Sequence, residues 1–600
     1  MEPIPAPRLI DLRGGIDSAV KRSLFRLIEK PVESVLSLST VNRLYAESLS
    51  PHESRNYFGR VLDVLNIQYK VSDEDRAKIP TSGPVVVVAN HPFGGADGVV
   101  LGDLLTGVRN DVRLMGNQLL ASVPQLRDQV IAVDAFGGRD AIQSNVAPMK
   151  ACVRWLRQGG VLGIFPSGTV SHLKVRDACI SDPAWHANVA ALVRRTGATV
   201  VPVFFEGRNS MMFQLAGLVH PGLRTALLPK ELLKRSHSKL TVYVGRPITA
   251  DKIGRYEDDQ TLIDYLRWKT YMLRHRTSPI RPRFMPRKRP IVAAPSEPVI
   301  EAVPTAELVA EVAGLPASAE LCGQGDYQVF ITQAGQIPRM LQEIGRLREI
   351  TFREVSEGTG QALDIDGYDQ HYLHLFMWNR AKSELVGSYR LGRVDDLLAE
   401  QGPRGLYTAT LFKFNAGFLQ RLGPALELGR SFVRKEYQRK PASLALIWRG
   451  IGEYLVRNPH YKILFGPVSI SKEYQGLSRQ VMVEFLESYR SDQTLGGLVK
   501  AKNPPRQRLD KEERSVLQSL VKCVDDISTL VSEIEDDGRG IPVLLKHYLR
   551  LNARLLSFNV DETFGSCIDG LIVVDLRTTD PKILKRFMGE EGHARFAASP

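Results

Sequence analysis

The sequence predicts an α/β protein built from two different domains. Three observations predict it. Strand-like and helix-like runs alternate from Val85 to about Val244; a basic, then proline- and alanine-rich stretch breaks the pattern between residues 274 and 325; and a second globular pattern, with no internal repeat of the first, resumes at about Tyr327. At 600 residues the chain also exceeds what one hydrophobic core usually supports.

The elements follow in order. Residues 1–60 hold DSAVKRSLFRLIEKPVESVLSLSTVNRLYAES, whose apolar residues recur at helical spacing among lysines and arginines and are interrupted by Pro31, so two short amphipathic helices are expected. They suit docking onto the next domain or lying flat on a bilayer. Residues 61–273 supply strands VVVV, VRLM, QVIAV, GVLGIF, ATVVPVFF and KLTVYVG, with helices APMKACVRWLRQ and WHANVAALVRRTG between them. Residues 274–325 read as a linker: RHRTSPIRPRFMPRKRP carries seven Lys or Arg and no acid, and a Pro/Ala-rich run follows. Residues 326–600 begin with a predicted helix, VFITQAGQIPRMLQEIGRLREITFRE. Strands HLFMW and ELVGSYRLG, a helix around ALELGRSFV and a strand YKILFGPVS follow.

Composition narrows the function classes. With 43% hydrophobic and 24% charged residues the chain resembles soluble globular protein. No apolar run approaches the roughly 18 to 20 residues that span a bilayer, and MEPIPAPRLIDLRGG lacks the order of a secretory signal, so a cytoplasmic protein without a spanning helix is expected. Five cysteines without a CxxC (Cys152, Cys179, Cys322, Cys523, Cys567) argue against a disulfide framework or zinc site and read as reduced, buried, inert thiols. A net charge of +13 favours an anionic partner: nucleic acid, an anionic membrane or an acidic protein. Zinc-finger spacing and a basic face with interleaved aromatics are both absent, so no nucleic-acid partner is expected.

VVVVANHPFGGADG places His91 and Asp97 in a glycine-rich loop directly after a buried strand. A carboxylate there can hold the imidazole in the tautomer whose other nitrogen accepts a proton from a hydroxyl or amine. NHPFGGADG, GIFPSGTVS and VVPVFFEGRNS occur in the order and spacing of the lysophosphatidic acid acyltransferase superfamily, which the chain resembles over residues 60–250. That resemblance implies an α/β glycerolipid-acyltransferase-like domain, with His91 as the base that activates an acceptor hydroxyl and Asp97 as its partner. It further implies Ser167, Gly168 and Thr169 in the acceptor loop, and an acyl thioester on acyl carrier protein or coenzyme A as donor, with no cofactor and no metal. Two departures stand out. Five residues, not four, separate His91 from Asp97, with Gly94 and Gly95 expected to absorb the extra one, and Ser167 and Val170 replace the family's glutamate and arginine. Bidentate arginine contacts are what usually recognise phosphate, so their loss argues against a glycerophosphate acceptor. Arg139, Arg208 and Asn209 remain candidates for holding an acceptor carboxylate or phosphate.

DIDGYDQHYLHLFMW clusters three aspartates with His371 and His374, but the segment runs into a strand, where the two histidines face opposite ways, and no metal site is expected. Asp364, Asp366 and Asp369, then GSYRLG with Arg390, then ELGRSFV with Glu427 and Arg430, resemble the acyl-homoserine-lactone synthases and the ornithine lipid N-acyltransferases of the GNAT fold. Downstream, LALIWRGIGEYL, LFGPVSIS and GIPVLLKHYLRLNA extend the likeness to about residue 575. It implies a GNAT-like mixed-sheet domain in which Glu427 is the base or its relay for an attacking amine and Asp366, Asp369, Arg390 and Arg430 shape the substrate site. RKEYQRKP, after ELGRSFV, lacks the glycines that grip a coenzyme A pyrophosphate. Acyl carrier protein is therefore the better donor, with Arg434, Lys435, Arg439 and Lys440 offering it a basic patch.

The whole layout resembles the bifunctional ornithine lipid synthases. That implies a C-terminal half that N-acylates ornithine with a 3-hydroxyacyl group and an N-terminal half that O-acylates the resulting lyso-lipid, on the cytoplasmic face of a bacterial inner membrane. The basic linker would contribute up to about 1 kcal/mol per cation at an anionic surface. Another amino acid or a lysophospholipid as acceptor is the alternative. So is a non-catalytic, hemolysin-like membrane-associated protein, against which intact His91, Asp97, Glu427 and Arg430 speak.

Overall fold

The computed structural model describes residues 38–49, 56–121, 123–134, 141–174, 179–276, 296–438, 441–506 and 508–599. The chain divides into two units, residues 1–279 with 511–520, and residues 280–510 with 521–600.

The first unit contains β1 (Gln68–Lys70), β2 (Val85–Ala89), β3 (Val112–Gly116), β4 (Val130–Ala132), β5 (Val161–Ile164), β6 (His172–Lys174), β7 (Cys179–Ser181), β8 (Thr199–Glu206) and β9 (Lys239–Val244). Seven of these form one sheet in the order β1-β9-β8-β2-β5-β3-β4, parallel at every pair except β8 with β9, while β6 and β7 pair separately. The valine run is apolar throughout because both faces of β2 are covered. Val85, Val87 and Ala89 join Phe58, Leu62, Leu101 and Leu104 on one side, and Val86 and Val88 join Cys152, Leu156, Val189 and Leu266 on the other. Each such valine contributes about 1.5 to 3 kcal/mol by burial. β2, β5 and β8 are adjacent, so their C-terminal ends open onto one crevice, where parallel α/β sheets place ligands. Of the predicted amphipathic segment, Leu38–Ser48 is a helix with Val41 and Tyr45 buried; residues 1–37 lie outside the described residues. The helix Lys511–Leu520 belongs to this unit, where Glu513 pairs with Arg274 and His275.

The second unit contains β10 (Glu320–Gln324), β11 (Tyr327–Gln333), β12 (Leu373–Asn379), β13 (Glu384–Arg393), β14 (Phe412–Phe414), β15 (Ala425–Val433), β16 (Ile463–Ile470), β17 (Val499–Ala501), β18 (Arg554–Asp561) and β19 (Cys567–Asp575). Eight form a mixed sheet, β10-β11-β12-β13-β15-β16-β19-β18, in which only β15 and β16 run parallel. Two expectations need correcting. VFITQ belongs to strand β11, and the helix begins only at Pro338. ALELGRSFV is strand β15, not a helix: its Ala, Leu and Glu favour helix locally, but a place in the sheet between β13 and β16 overrides propensity. Part of the stretch read as linker is folded, since Thr305–Ala313 is a helix and Val303 and Leu308 enter the core beside Met340 and Phe376. The cysteines are free thiols, but only Cys152 and Cys567 are buried; Cys179 and Cys322 are half-buried and Cys523 is exposed.

β15 pairs with β16 only from Ala425–Ile463 to Glu427–Phe465; beyond this the two strands part. Gly466 sits at the divergence, where a Cβ would come 2.1 Å from the Leu428 carbonyl oxygen. On its other edge β15 bulges: Gly429 faces Arg390 and Phe432 faces Ser388, with Arg430 between them at φ 47°, a conformation rare outside glycine.

Candidate active sites

At the end of β2, Asn90 clamps the strand to β8, donating to Phe205 O at 3.0 Å and accepting from Phe205 N at 2.7 Å. His91 then leaves the sheet. Its ring stacks on Phe165 with centroids 4.1 Å apart, and its main-chain N–H donates to buried Asp182 at 3.1 Å. Asp182 also accepts from Ser171 Oγ at 2.5 Å and Trp185 Nε1 at 3.0 Å. Gly94 takes φ 85° and starts the helix Gly95–Thr106, whose first turn carries Asp97. This turn absorbs the five-residue separation. Asp97 Oδ2 lies 3.0 Å from His91 Nδ1 and accepts the Phe93 and Gly94 amides at 2.8 and 3.0 Å. Burial pushes the Asp97 carboxyl upward, opposed by His91 and those two amides. With Nδ1–H directed to Asp97, Nε2 is the nitrogen left to take a proton.

His91 lines a cavity of about 1680 Å³. Gly168 and Thr169 line it as well, whereas Ser167 is buried and its hydroxyl donates to Thr169 O at 2.8 Å within the loop. Asn209 is buried behind the loop, its Nδ2 reaching Phe93 O at 3.5 Å, and Arg208 is exposed and outside the cavity lining. Arg139 lies outside the described residues. The walls are largely apolar, as at Leu114, Met115, Val153 and Phe213, with Lys150, Arg154, Arg157, Arg195 and Arg224 as cations. None of these cations, nor Asp182, is marked by the three motifs, whereas Asn90 opens the first of them.

In the second unit the DID-x-x-D segment meets three arginines. Arg348 donates to Asp369 at 2.8 Å, Arg390 to Asp366 at 2.6 Å with Asp369 at 3.3 Å, and Arg430 lies 3.5 Å from Asp364 and 3.7 Å from Asp366. Burial works against the Asp369 carboxylate, but Arg348 and Arg390 hold it far below the usual range. His374 Nε2 lies 2.8 Å from Asp369 O, and burial lowers this histidine to about 4. Arg348 was not singled out by the sequence pattern. Neither was its role as the buried counter-charge.

Glu427 stands at the last paired position before β15 and β16 part. Tyr372 Oη donates to one carboxylate oxygen and Thr408 N to the other at 2.7 Å, and burial pushes Glu427 upward. Tyr372 Oη in turn accepts Tyr407 N–H at 2.9 Å. A cavity of about 590 Å³ is lined by Tyr407 and by the charged groups Arg430, Asp364, Asp366, Asp561, Glu562 and Lys502 among others. Glu427 and Asp369 are not in its lining, so Glu427 reaches the cavity through the tyrosines. Asp569, accepting from Ser469 Oγ at 2.8 Å, is pushed up to about 7 by burial, and neighbouring Asp561 adds to the effect. Arg434 and Lys435 pair with Glu384 and Glu354 at 2.9 and 3.3 Å; Arg439 and Lys440 lie outside the described residues.

Residues 44–278 match the family described as Acyltransferase, and residues 347–449 the family described as Acetyltransferase (GNAT) domain. A Glycine N(alpha)-acyltransferase of Bacteroides thetaiotaomicron is 33% identical over 44% of this chain and 82% of its own length. Its counterpart in Phocaeicola vulgatus is 32% identical over 40% of this chain and 76% of its own length. A Lyso-glycine lipid O-acyltransferase of Phocaeicola vulgatus is 31% identical over 30% of this chain and 64% of its own length. The chain is therefore an acyltransferase that belongs to the family of these N-acyltransferases, and it joins an Acyltransferase domain to a GNAT domain.

Proposed function

We propose that the chain makes an aminolipid in two steps. The second unit N-acylates an amino acid with a 3-hydroxyacyl group, and the first unit esterifies the hydroxyl of the product. The contrast between the two cavities carries this reading: one large and apolar beside His91, the other small and lined by charged groups from the DID segment, Arg430 of β15 and Asp561 at the end of β18. In the first, His91 Nε2 takes the acceptor hydroxyl's proton as its oxygen attacks the thioester carbonyl and the carrier thiol leaves. Asp97 keeps the ring oriented, and Gly168 and Thr169 form part of the wall. In the second, Arg430 faces the amino-acid carboxylate, the amine attacks the thioester carbonyl and the carrier thiol leaves, and the amine proton passes to a carboxylate, with Glu427 as base or as relay through Tyr372. Asp366, Asp369 and Arg390 hold the walls in place.

Ornithine is the acceptor we favour, because the small cavity presents four carboxylates (Asp364, Asp366, Asp561, Glu562) against two cations (Arg430, Lys502), which suits a second ammonium group. The names of the relatives favour glycine as the second reading. Acyl carrier protein is the proposed donor, and the cytoplasmic face of an anionic membrane the proposed place of work. Expression in a bacterium lacking aminolipids, followed by lipid mass spectrometry, tests the function. Ornithine-containing diacyl lipid supports the first reading, glycine-containing lipid the second, and no new aminolipid rejects both. Purified chain supplied with acyl carrier protein or coenzyme A thioesters tests the donor.

A further inference from the structure

The helices Met211–Val219 and Pro221–Lys234 follow the β8 loop and share one apolar surface that is exposed among the described residues. Met211, Met212, Leu215, Leu218, Val219 and Leu223 are 45 to 80% exposed, six of the twelve large apolar side chains exposed among the described residues, gathered within thirteen positions. Scattered exposed apolar residues are ordinary, but this concentration is not. The opposite side of the same helices serves the site. Phe213, Leu228 and Leu232 line the large cavity, and Leu228 and Leu232 lie against Gly94 and Gly95 in the His91 loop. The base of the pair is fixed, since Glu231 accepts Ser210 N at 3.0 Å and Ser210 Oγ at 2.7 Å and pairs with Lys234 at 2.7 Å.

The charge around the patch identifies its occupant. Apart from Arg224, which lines the cavity, residues 208–239 carry five cations (Arg208, Lys230, Lys234, Arg235, Lys239) and one acid (Glu231), a net +4. A second copy would bring +4 against +4. An acidic protein would answer the cations and leave the apolar side chains in water. A bilayer with anionic headgroups answers both, the cations at the headgroups and the apolar residues at the acyl boundary. We infer that the helix pair Met211–Lys234 is the surface by which the first unit inserts into an anionic membrane, so that an acyl chain passes along Phe213 and Leu228 to His91 without crossing water. This deepens the proposed function and rests on its lipid acceptor.

The test uses the full chain and phosphatidylglycerol/phosphatidylcholine vesicles without substrate, so its result does not depend on whether acyl transfer occurs. Leu215→Glu with Leu218→Glu should weaken vesicle binding about tenfold or more, with an unchanged thermal transition because both side chains are exposed. Leu218→Trp should gain fluorescence quenching by bromine-labelled lipids beyond that of the native tryptophans. Unchanged binding of the double variant, or no added quenching at 218, overturns the inference. So does loss of acyl carrier protein binding by the double variant with vesicle binding intact, because the patch would then serve a protein.

Discussion

Asp182 Oδ1 accepts the main-chain N–H of His91 at 3.1 Å across 91 positions of sequence. The same carboxylate holds Ser171, whose own N–H donates to His91 O at 2.8 Å. Asp182 thus fixes the backbone from which the imidazole hangs. Asp182→Ala should lower kcat for ester formation about 10- to 100-fold with little change in KM, because misplaced catalytic groups lose near-attack geometry rather than binding. It should also cost about 1 to 3 kcal/mol in stability through the orphaned Trp185 and Ser171 donors. Steady-state kinetics and thermal unfolding check both, and Asp182→Asn should recover part of the loss.

The two reactions should separate by mutation. His91→Ala removes a general base worth about 100- to 10,000-fold, so cells carrying it should accumulate monoacyl aminolipid. Glu427→Ala should leave no aminolipid at all. Lipid mass spectrometry reads both, and identical profiles from the two variants would count against a division of labour between the units.

Stability should fall as pH rises from about 6.5 to about 8, above the window in which His374 and His547, lowered by burial from 6.5 to about 4, act in the opposite sense. Burial, reinforced by neighbouring carboxylates, pushes Glu357 up to about 8 from 4.5 and Asp569 up to about 7 from 3.8. Between those values the folded chain keeps protons that the unfolded chain has released, and a folded state that binds more protons loses stability as pH rises. Denaturant unfolding across this range should show the decline. Glu357→Gln with Asp569→Asn should flatten it and leave the double variant the more stable protein at pH 8.

Arg348 is fully buried against Asp369. Arg348→Met leaves that carboxylate facing Arg390 alone and should destabilise the second unit by about 3 to 5 kcal/mol. Lysine should rescue incompletely, since it lacks the guanidinium fork. Thermal unfolding of the three proteins gives the order native, lysine, methionine; equal stability of native and methionine forms rejects a role for the pair.

Local chemistry was legible before the fold was known. Four valines, a histidine, glycines and an aspartate within fourteen residues already describe a buried strand and a glycine-rich loop that brings His91 and Asp97 together, because those interactions join near neighbours, while the helix that starts at Gly95 is not legible in them. The aspartates of DIDGYD and the pair Glu427–Arg430 were visible in the same way, and so were six strands and two helices of the first half. Tertiary structure decided the rest. A buried carboxylate takes whichever cation or amide lies beside it in space, so Asp182, Arg348 and Asp569 gained their roles from chain segments far apart in sequence. The strand at ALELGRSFV has the same origin: sheet pairing overruled a helix-favouring composition, and just beyond Glu427, where the pairing of β15 with β16 ends, Gly466 approaches Leu428 too closely for a side chain.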